Sequence, residues 1–306
     1  VTALTERGSR RAGLSQGAVS RATGRTFVGL VLVVFALFFI IPIVWLLFAT
    51  TKTEQQLVGT NPFSLGSFQG LAANWNSLVG FQSGAIATWL GNSAFYAVAA
   101  LVLTLVVSIP AGYALALTEF RLRRLLLVVT LVVMLIPNTA LVLPIFLEIN
   151  VVGLIGSPLS VILPFSFFPF GVYLAYIYFS TSIPRDLLAA ARIDGCSEFG
   201  VFARIALPLA APVVALVAFF SFVQNWNNYF LPFVMLPSSS QYPMQVGLTS
   251  LLASTPAFNP SALGTSPIQL PALALATLVS VAPVIIVFLF SQRFLVTGMT
   301  AGSTKE

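Results

Sequence analysis

The chain has 306 residues, of which 58% are apolar and only 7% charged, with a mean hydropathy of +0.99. Soluble domains average near a quarter charged, and 14 Lys+Arg with 8 Asp+Glu cannot cover the surface of a soluble fold this size, so the composition excludes soluble enzymes and describes a membrane protein. The absence of His and the single Cys196 also remove His/Cys metal clusters, Ser-His-Asp triads and disulfide frameworks.

In chain order, residues 1–25 form a basic extension with Arg7, Arg10, Arg11, Arg21 and Arg25, expected to lack regular structure and to lie in the cytoplasm. Six apolar runs follow, at 27–50, 90–119, 125–149, 159–180, 209–235 and 268–290, each near the roughly 20 residues that cross a bilayer as a helix. The first is too long for a signal-peptide core and lacks a convincing cleavage site, which makes it a retained span. The expected fold is therefore an all-α polytopic membrane protein of six transmembrane helices, residues 26–292, followed by a tail at 293–306. Prolines at 42, 110, 137, 144, 164, 169, 212, 232, 271 and 283 fall within or beside these runs. Those inside helices should kink them, and the freed carbonyls need partners from neighbouring helices, Ser/Thr side chains or water.

The net charge of +6 hints at nucleic acid only until the charges are located. With six spans, every basic residue except Lys52 falls on the side of the N-terminus: the leading arginines, Arg121, Arg123, Arg124, Arg185, Arg192, Arg204, Arg293 and Lys305. Loops flanking spans accumulate Lys and Arg on the cytoplasmic side. Both termini and the loop 181–208 are thus expected in the cytoplasm, the lipid bilayer is the one large partner that the charge implies, and nucleic acid is not.

That loop reads as two short helices. Pro184 suits a first helical position, Asp186 complements the helix dipole, the alanine run favours helix, and Gly195 suits a left-handed stop. Ser197 can cap a second helix that sets Phe199, Phe202 and Ile205 on one face as far as Pro208. An apolar face there needs a partner, either lipid or protein.

Leu188-Ala189-Ala190-Ala191-Arg192-Ile193-Asp194-Gly195, followed by Ile205-Ala206-Leu207-Pro208, resembles the "EAA" loop of ABC importer permeases. The resemblance continues through Asn225-Trp226-Asn227-Asn228-Tyr229-Phe230-Leu231-Pro232 and the tail Gln292 to Gly302, both similar to the carbohydrate branch, the tail most of all to the second permease of maltose-type importers. It implies the type I importer permease fold in a prokaryotic inner membrane. It also implies a non-catalytic subunit that pairs with a second permease, docks on a cytoplasmic ATPase dimer and receives solute from an extracytoplasmic binding protein. ATP and Mg would sit on the ATPase; this chain would bind no cofactor or metal, and its two lysines lie in no phosphate-binding loop. On this resemblance the ATPase-coupling residues are Asp186, Leu188, Ala189, Ala190, Ala191, Arg192, Asp194, Gly195, Leu207 and Pro208, and Thr297, Gly298, Thr300 and Gly302 of the tail touch the ATPase. Ala189 stands where the family has Glu, so docking there rests on shape and apolar contact, with Asp186 one turn earlier as a substitute charge.

Polar groups at membrane depth are costly unless they face protein or water, which makes Asn138, Gln224, Asn225, Asn227 and Asn228 the candidates for a translocation path. An interfacial belt with Trp226 and Tyr229 is the other reading of the span-five cluster. Amides beside aromatics suit a neutral sugar, and no Lys or Arg inside a span offsets the charge of a glycerol 3-phosphate; a polyol is the nearer alternative. A self-contained secondary carrier should show membrane-embedded ionisable groups, and only Glu148, at a span end, answers that description.

Overall fold

The computed structural model describes residues 2–261 and 268–300, with side chains for residues 24–261 and 268–294, and these form helices and turns without a strand. The chain divides into two compact units, one ending at Asn74 and one starting at Trp75.

The first unit opens with α1 (Thr2–Ala49). The helix includes residues 2–25 rather than leaving them without regular structure, and its apolar stretch is exposed from Gly24 to Ile43 and becomes buried towards its end at Ala49. A tight loop with a short helix, α2 (Glu54–Gly59), then leads into α3 (Phe68–Gly80). Lys52 organises this loop. Its side chain is buried, and Nζ donates to the Asn61 carbonyl at 2.6 Å and to Thr60 Oγ1 and the Pro62 carbonyl at 3.4 Å. Asn74 Nδ2 donates to the carbonyls of Thr50 and Lys52 at 2.8 and 2.9 Å. The one basic residue that broke the charge asymmetry is therefore a buried clip for a turn, its cation solvated by carbonyl oxygens instead of water.

The second unit is built around α4 (Ala85–Leu117), which packs against α7 (Leu159–Ser166), α8 (Pro169–Ser182) and α12 (Ala211–Trp226). Gly112 permits the closest approach: a Cβ there would collide with the Ala175 side chain and lie 2.8 Å from the Tyr176 nitrogen. On the same unit lie α5 (Arg123–Met134), α6 (Val142–Val151), α9 (Arg185–Ile193), α10 (Glu198–Val201), α11 (Leu207–Leu209), α13 (Phe230–Met235), α14 (Met244–Ala253) and α15 (Leu270–Thr300).

Among the described residues four helical segments are long and apolar enough to cross a membrane, Gly24–Ala49, Ala85–Leu117, Leu159–Ser182 and Leu270–Phe294, and six if each of two bent pairs counts as one span. The expected third span, 125–149, bends by 101° between α5 and the segment Asn138–Val151, and the fifth, expected to start at 209, bends by 77° between Glu198–Leu209 and α12. Proline accounts for both bends. Pro137 takes extended geometry at ψ 130° and stops α5 short, and Pro212 supplies no N–H at the start of α12. The fifth run breaks again at Asn227–Tyr229 before α13, and the fourth breaks at Phe167–Phe168 between α7 and α8.

The break in the fourth run is bridged as the sequence required. Thr104 Oγ1 donates to the Ser166 carbonyl at 3.0 Å, Ser221 Oγ to Thr104 Oγ1 at 3.3 Å, and Asn225 Nδ2 to Ser221 Oγ at 3.3 Å. One relay of hydroxyls ties α4 and α12 to a carbonyl left without its helical partner.

At the other end of α4, four side chains on one face grip the turn 239–242 and the start of α14. Trp89 Nε1 donates to the Ser239 carbonyl at 2.9 Å, Asn92 Nδ2 to those of Ser240 and Tyr242 at 2.9 and 3.0 Å, and Tyr96 Oη to that of Gln241 at 2.9 Å. Ser93 Oγ accepts from the Met244 nitrogen at 2.7 Å, and Gly247 leaves room for the Trp89 ring.

Candidate functional site

The loop between α8 and α12 is a rigid projection. Helix α9 is anchored through Leu188, which is 1% exposed and shares a core with Phe179, Ile183, Val201, Ala206 and Val213. Tyr113 of α4 packs its ring against Phe179 and Phe202, with centroids 5.4 and 5.0 Å apart. The loop is therefore fastened to the ends of three long helices. Pro184 caps α9 instead of opening it, with Arg185 as the first helical residue and Asp186 in the first turn.

Helix α9 ends in a Schellman turn. The Cys196 nitrogen donates to the Ala191 carbonyl at 3.0 Å and the Gly195 nitrogen to the Arg192 carbonyl at 3.1 Å, with Gly195 at φ +83°. Ser197 Oγ then accepts from the Gly200 nitrogen at 3.2 Å to cap α10. Across the turn, Arg192 Nε and Nη2 donate to the two Glu198 carboxylate oxygens at 2.7 and 3.1 Å. This fork holds the Glu198 carboxyl below its usual range and raises Arg192.

The second helix is not the continuous apolar face that three-residue spacing predicted. Phe202–Ala206 form a π-helical turn between α10 and α11, which changes the register. Phe202 and Ile205 pack on the core while Phe199 points out at 77% exposed. Ile193, at 85% exposed, and Leu187 join it, with Asp186, Ala189, Ala190, Asp194 and Gly195 also on the surface. Sequence reasoning missed Leu187 and Ile193, although their spacing with Ala190 at i, i+3 and i+6 was the available signal. Of the expected coupling residues, Leu188 faces the core and cannot meet a partner, Ala191 and Leu207 are partly buried against that core, Arg192 is held by Glu198, and Pro208 is exposed.

The candidate path residues separate. Asn138 and Gln224 line one cavity of about 360 Å³ with Phe165, Phe167, Phe168 and Phe170, where the bends of α5–α6 and α7–α8 meet α12. Asn225 serves the hydroxyl relay instead, and Asn227 is exposed. Asn228 Nδ2 is buried without a hydrogen-bond partner among the described residues. Trp226 is 3% exposed and donates to the Ser280 carbonyl at 2.9 Å, so it ties α12 to α15 and is not part of an interfacial belt. In the tail, Thr297, Gly298 and Thr300 fall on the last turns of α15, and Gly302 lies outside the described residues.

Residues 108–301 match the protein family described as "Binding-protein-dependent transport system inner membrane component". The chain is 34% identical over 73% of its length, and 76% of the relative's, to the arabinooligosaccharides transport system permease protein AraQ of Halalkalibacterium halodurans. It is 33% identical to the protein of the same name from Bacillus subtilis, over 88% of this chain and 92% of that one. It superposes with a TM-score of 0.74 and 25% identity, over 87% of this chain and 94% of the other, on a chain of a bacterial ABC transporter involved in the import of the acidic polysaccharide alginate. The match spans the helices that build both the projecting loop and the cavity, and the chain belongs to the family of binding-protein-dependent transport system inner membrane components.

Proposed function

We propose that this chain is one permease subunit of an ATP-driven ABC importer for a neutral sugar or oligosaccharide, with six spans in the type I arrangement and both termini in the cytoplasm. It pairs with a second permease, takes solute from an extracytoplasmic binding protein and stands on an ATPase dimer that binds the ATP and Mg; the chain itself is not catalytic. The observation that carries this reading is the loop between α8 and α12. Side chains as apolar as Ile193 and Phe199 are displayed on a turn anchored through Leu188 and locked by the Schellman bonds. A rigid lever of this kind suits the transmission of nucleotide-driven closure into rotation of α4, α8 and α12, because displacement at its tip cannot dissipate within the loop.

The cavity at the bends supports the solute class. Four phenylalanines and the two amides of Asn138 and Gln224 offer apolar faces and neutral hydrogen-bonding groups, and its lining includes no Lys or Arg. That favours a neutral sugar over glycerol 3-phosphate, and over an acidic polysaccharide of the kind imported by the structural relative. The tail beyond α15 contacts the ATPase in this reading, through Thr297, Gly298, Thr300 and Gly302.

Coexpression with the second permease and the ATPase should give a stable assembly whose ATP hydrolysis in proteoliposomes is stimulated by the sugar-loaded binding protein. Gln224→Leu should raise the sugar concentration needed for half-maximal uptake without altering assembly. Solute uptake by this chain purified without any ATPase would overturn the reading.

A further inference from the structure

Where α4 ends and α5 begins, the connecting turn opens a surface cavity of about 430 Å³, walled by Glu119, Phe120, Arg121, Arg123, Arg124, Leu127 and Tyr176. Its three arginines do different things. Arg123 is spent on the fold, with Nε donating to the Leu115 carbonyl at 2.7 Å and Nη2 to that of Ala116 at 3.1 Å, closing the end of α4. Arg121 and Arg124 are exposed and engage no described residue by hydrogen bond, ion pair or ring contact. Glu119, the one acid of the lining, is exposed as well and pairs with neither.

Two free guanidinium groups at the end of a membrane helix are ordinary in themselves. What singles out this place is the surface that adjoins them. Leu125, Leu126, Val128, Val129 and Val132 of α5 are all exposed, and Phe120 and Leu122 continue this bare hydrocarbon down to the rim of the cavity. A soluble anion would satisfy the arginines and leave the hydrocarbon uncovered; an acyl chain alone would do the reverse. Only an amphiphile with an anionic head matches both halves.

We infer that this cavity binds the headgroup of an anionic phospholipid, its phosphate held between Arg121 and Arg124 and its acyl chains laid along the exposed face of α5. Arginine suits this task, since its planar fork can engage phosphate oxygens in pairs. Glu119 tempers the site by repulsion, and the phosphate of a zwitterionic lipid is disfavoured because its own cation competes with the arginines. The site does not depend on which solute the protein carries.

The test uses the assembled transporter, stripped of lipid in detergent and re-exposed to phosphatidylglycerol or phosphatidylcholine, with retained lipid counted by native mass spectrometry. Phosphatidylglycerol should be retained in preference to phosphatidylcholine. Arg121→Gln with Arg124→Gln should lower that retention roughly tenfold to thirtyfold, and Glu119→Gln should raise it. Equal retention of the two lipids, or of phosphatidylglycerol by wild type and double variant, overturns the proposal. Displacement of the lipid by millimolar inorganic phosphate would reassign the cavity to a free anion and overturn it too, as would dissociation of the double variant from its protein partners, which would make the arginines a subunit contact.

Discussion

Replacing Gly195 separates two reasons for a glycine at the tip of the projecting loop. The residue sits at φ +83°, and no heavy atom lies within 4 Å of where a Cβ would be. Within this chain, then, a side chain is opposed by backbone conformation and not by crowding. An alanine held in the left-handed region costs about 1–2 kcal/mol, which lowers the population of the intact Schellman turn roughly fivefold to thirtyfold. Asparagine tolerates that conformation far better. If the turn must be intact to engage an ATPase, Gly195→Ala and Gly195→Val should lose sugar transported per ATP hydrolysed in proteoliposomes, and Gly195→Asn should stay near wild type. Crowding against a docked partner gives the opposite order, because asparagine is the bulkier of the two small replacements. Finding Gly195→Asn worse than Gly195→Ala would refute the conformational argument, and normal coupling by Gly195→Val would refute the lever itself.

Ile193→Ser and Phe199→Ser should each weaken ATPase association on the order of tenfold or more, because an exposed side chain of this size gains about 1.5–3 kcal/mol on full burial; a titration of labelled ATPase against the reconstituted permease measures it. The Glu198 carboxyl is held below its ordinary 4.5 by Arg192, so the fork is complete above that pH and is lost as pH falls through the lowered value. With side chains 38% and 62% exposed, the pair is worth under about 1 kcal/mol, and Glu198→Gln should remove any acid-dependent weakening of ATPase association by imposing at pH 7 the same loss, under about fivefold, that protonation brings to the wild type. Gly112→Val should lower the thermal midpoint in detergent by the equivalent of about 1–3 kcal/mol or more, because Ala175 and the Tyr176 backbone already fill the space. Gly91, which meets nothing within 4 Å, should accept alanine without loss.

Charge placement and apolar run length were enough to find the helical segments and the loop between α8 and α12, since both follow from the cost of polar groups in hydrocarbon. The bends were legible as prolines, but not their angles, because a proline frees a carbonyl without stating which hydroxyl will answer it. Thr104 and Ser221 answer the one at Ser166, and neither stands out in a run of apolar residues. Asn225 meets the same limit: an amide at membrane depth marks either a wet path or a structural relay, and its bond to Ser221 becomes visible only in the fold. Leu188 and Ile193 show the limit in the loop. Both are apolar positions in one short helix, and the anchored residue differs from the exposed one only through the core formed by distant segments.

The grip of α4 on the turn 239–242 reaches only main-chain carbonyls through Trp89, Asn92 and Tyr96. The turn's own side chains add a second set of ties, Ser239 Oγ donating to Gln82 Oε1 at 3.1 Å and Gln241 Nε2 to the Gly156 carbonyl, so Ser240, whose hydroxyl pairs with that of the exposed Ser238, is the position open to exchange while the turn keeps its place. The surface presented at that end of the bundle can therefore be rewritten at Ser240 without renegotiating the architecture that holds it.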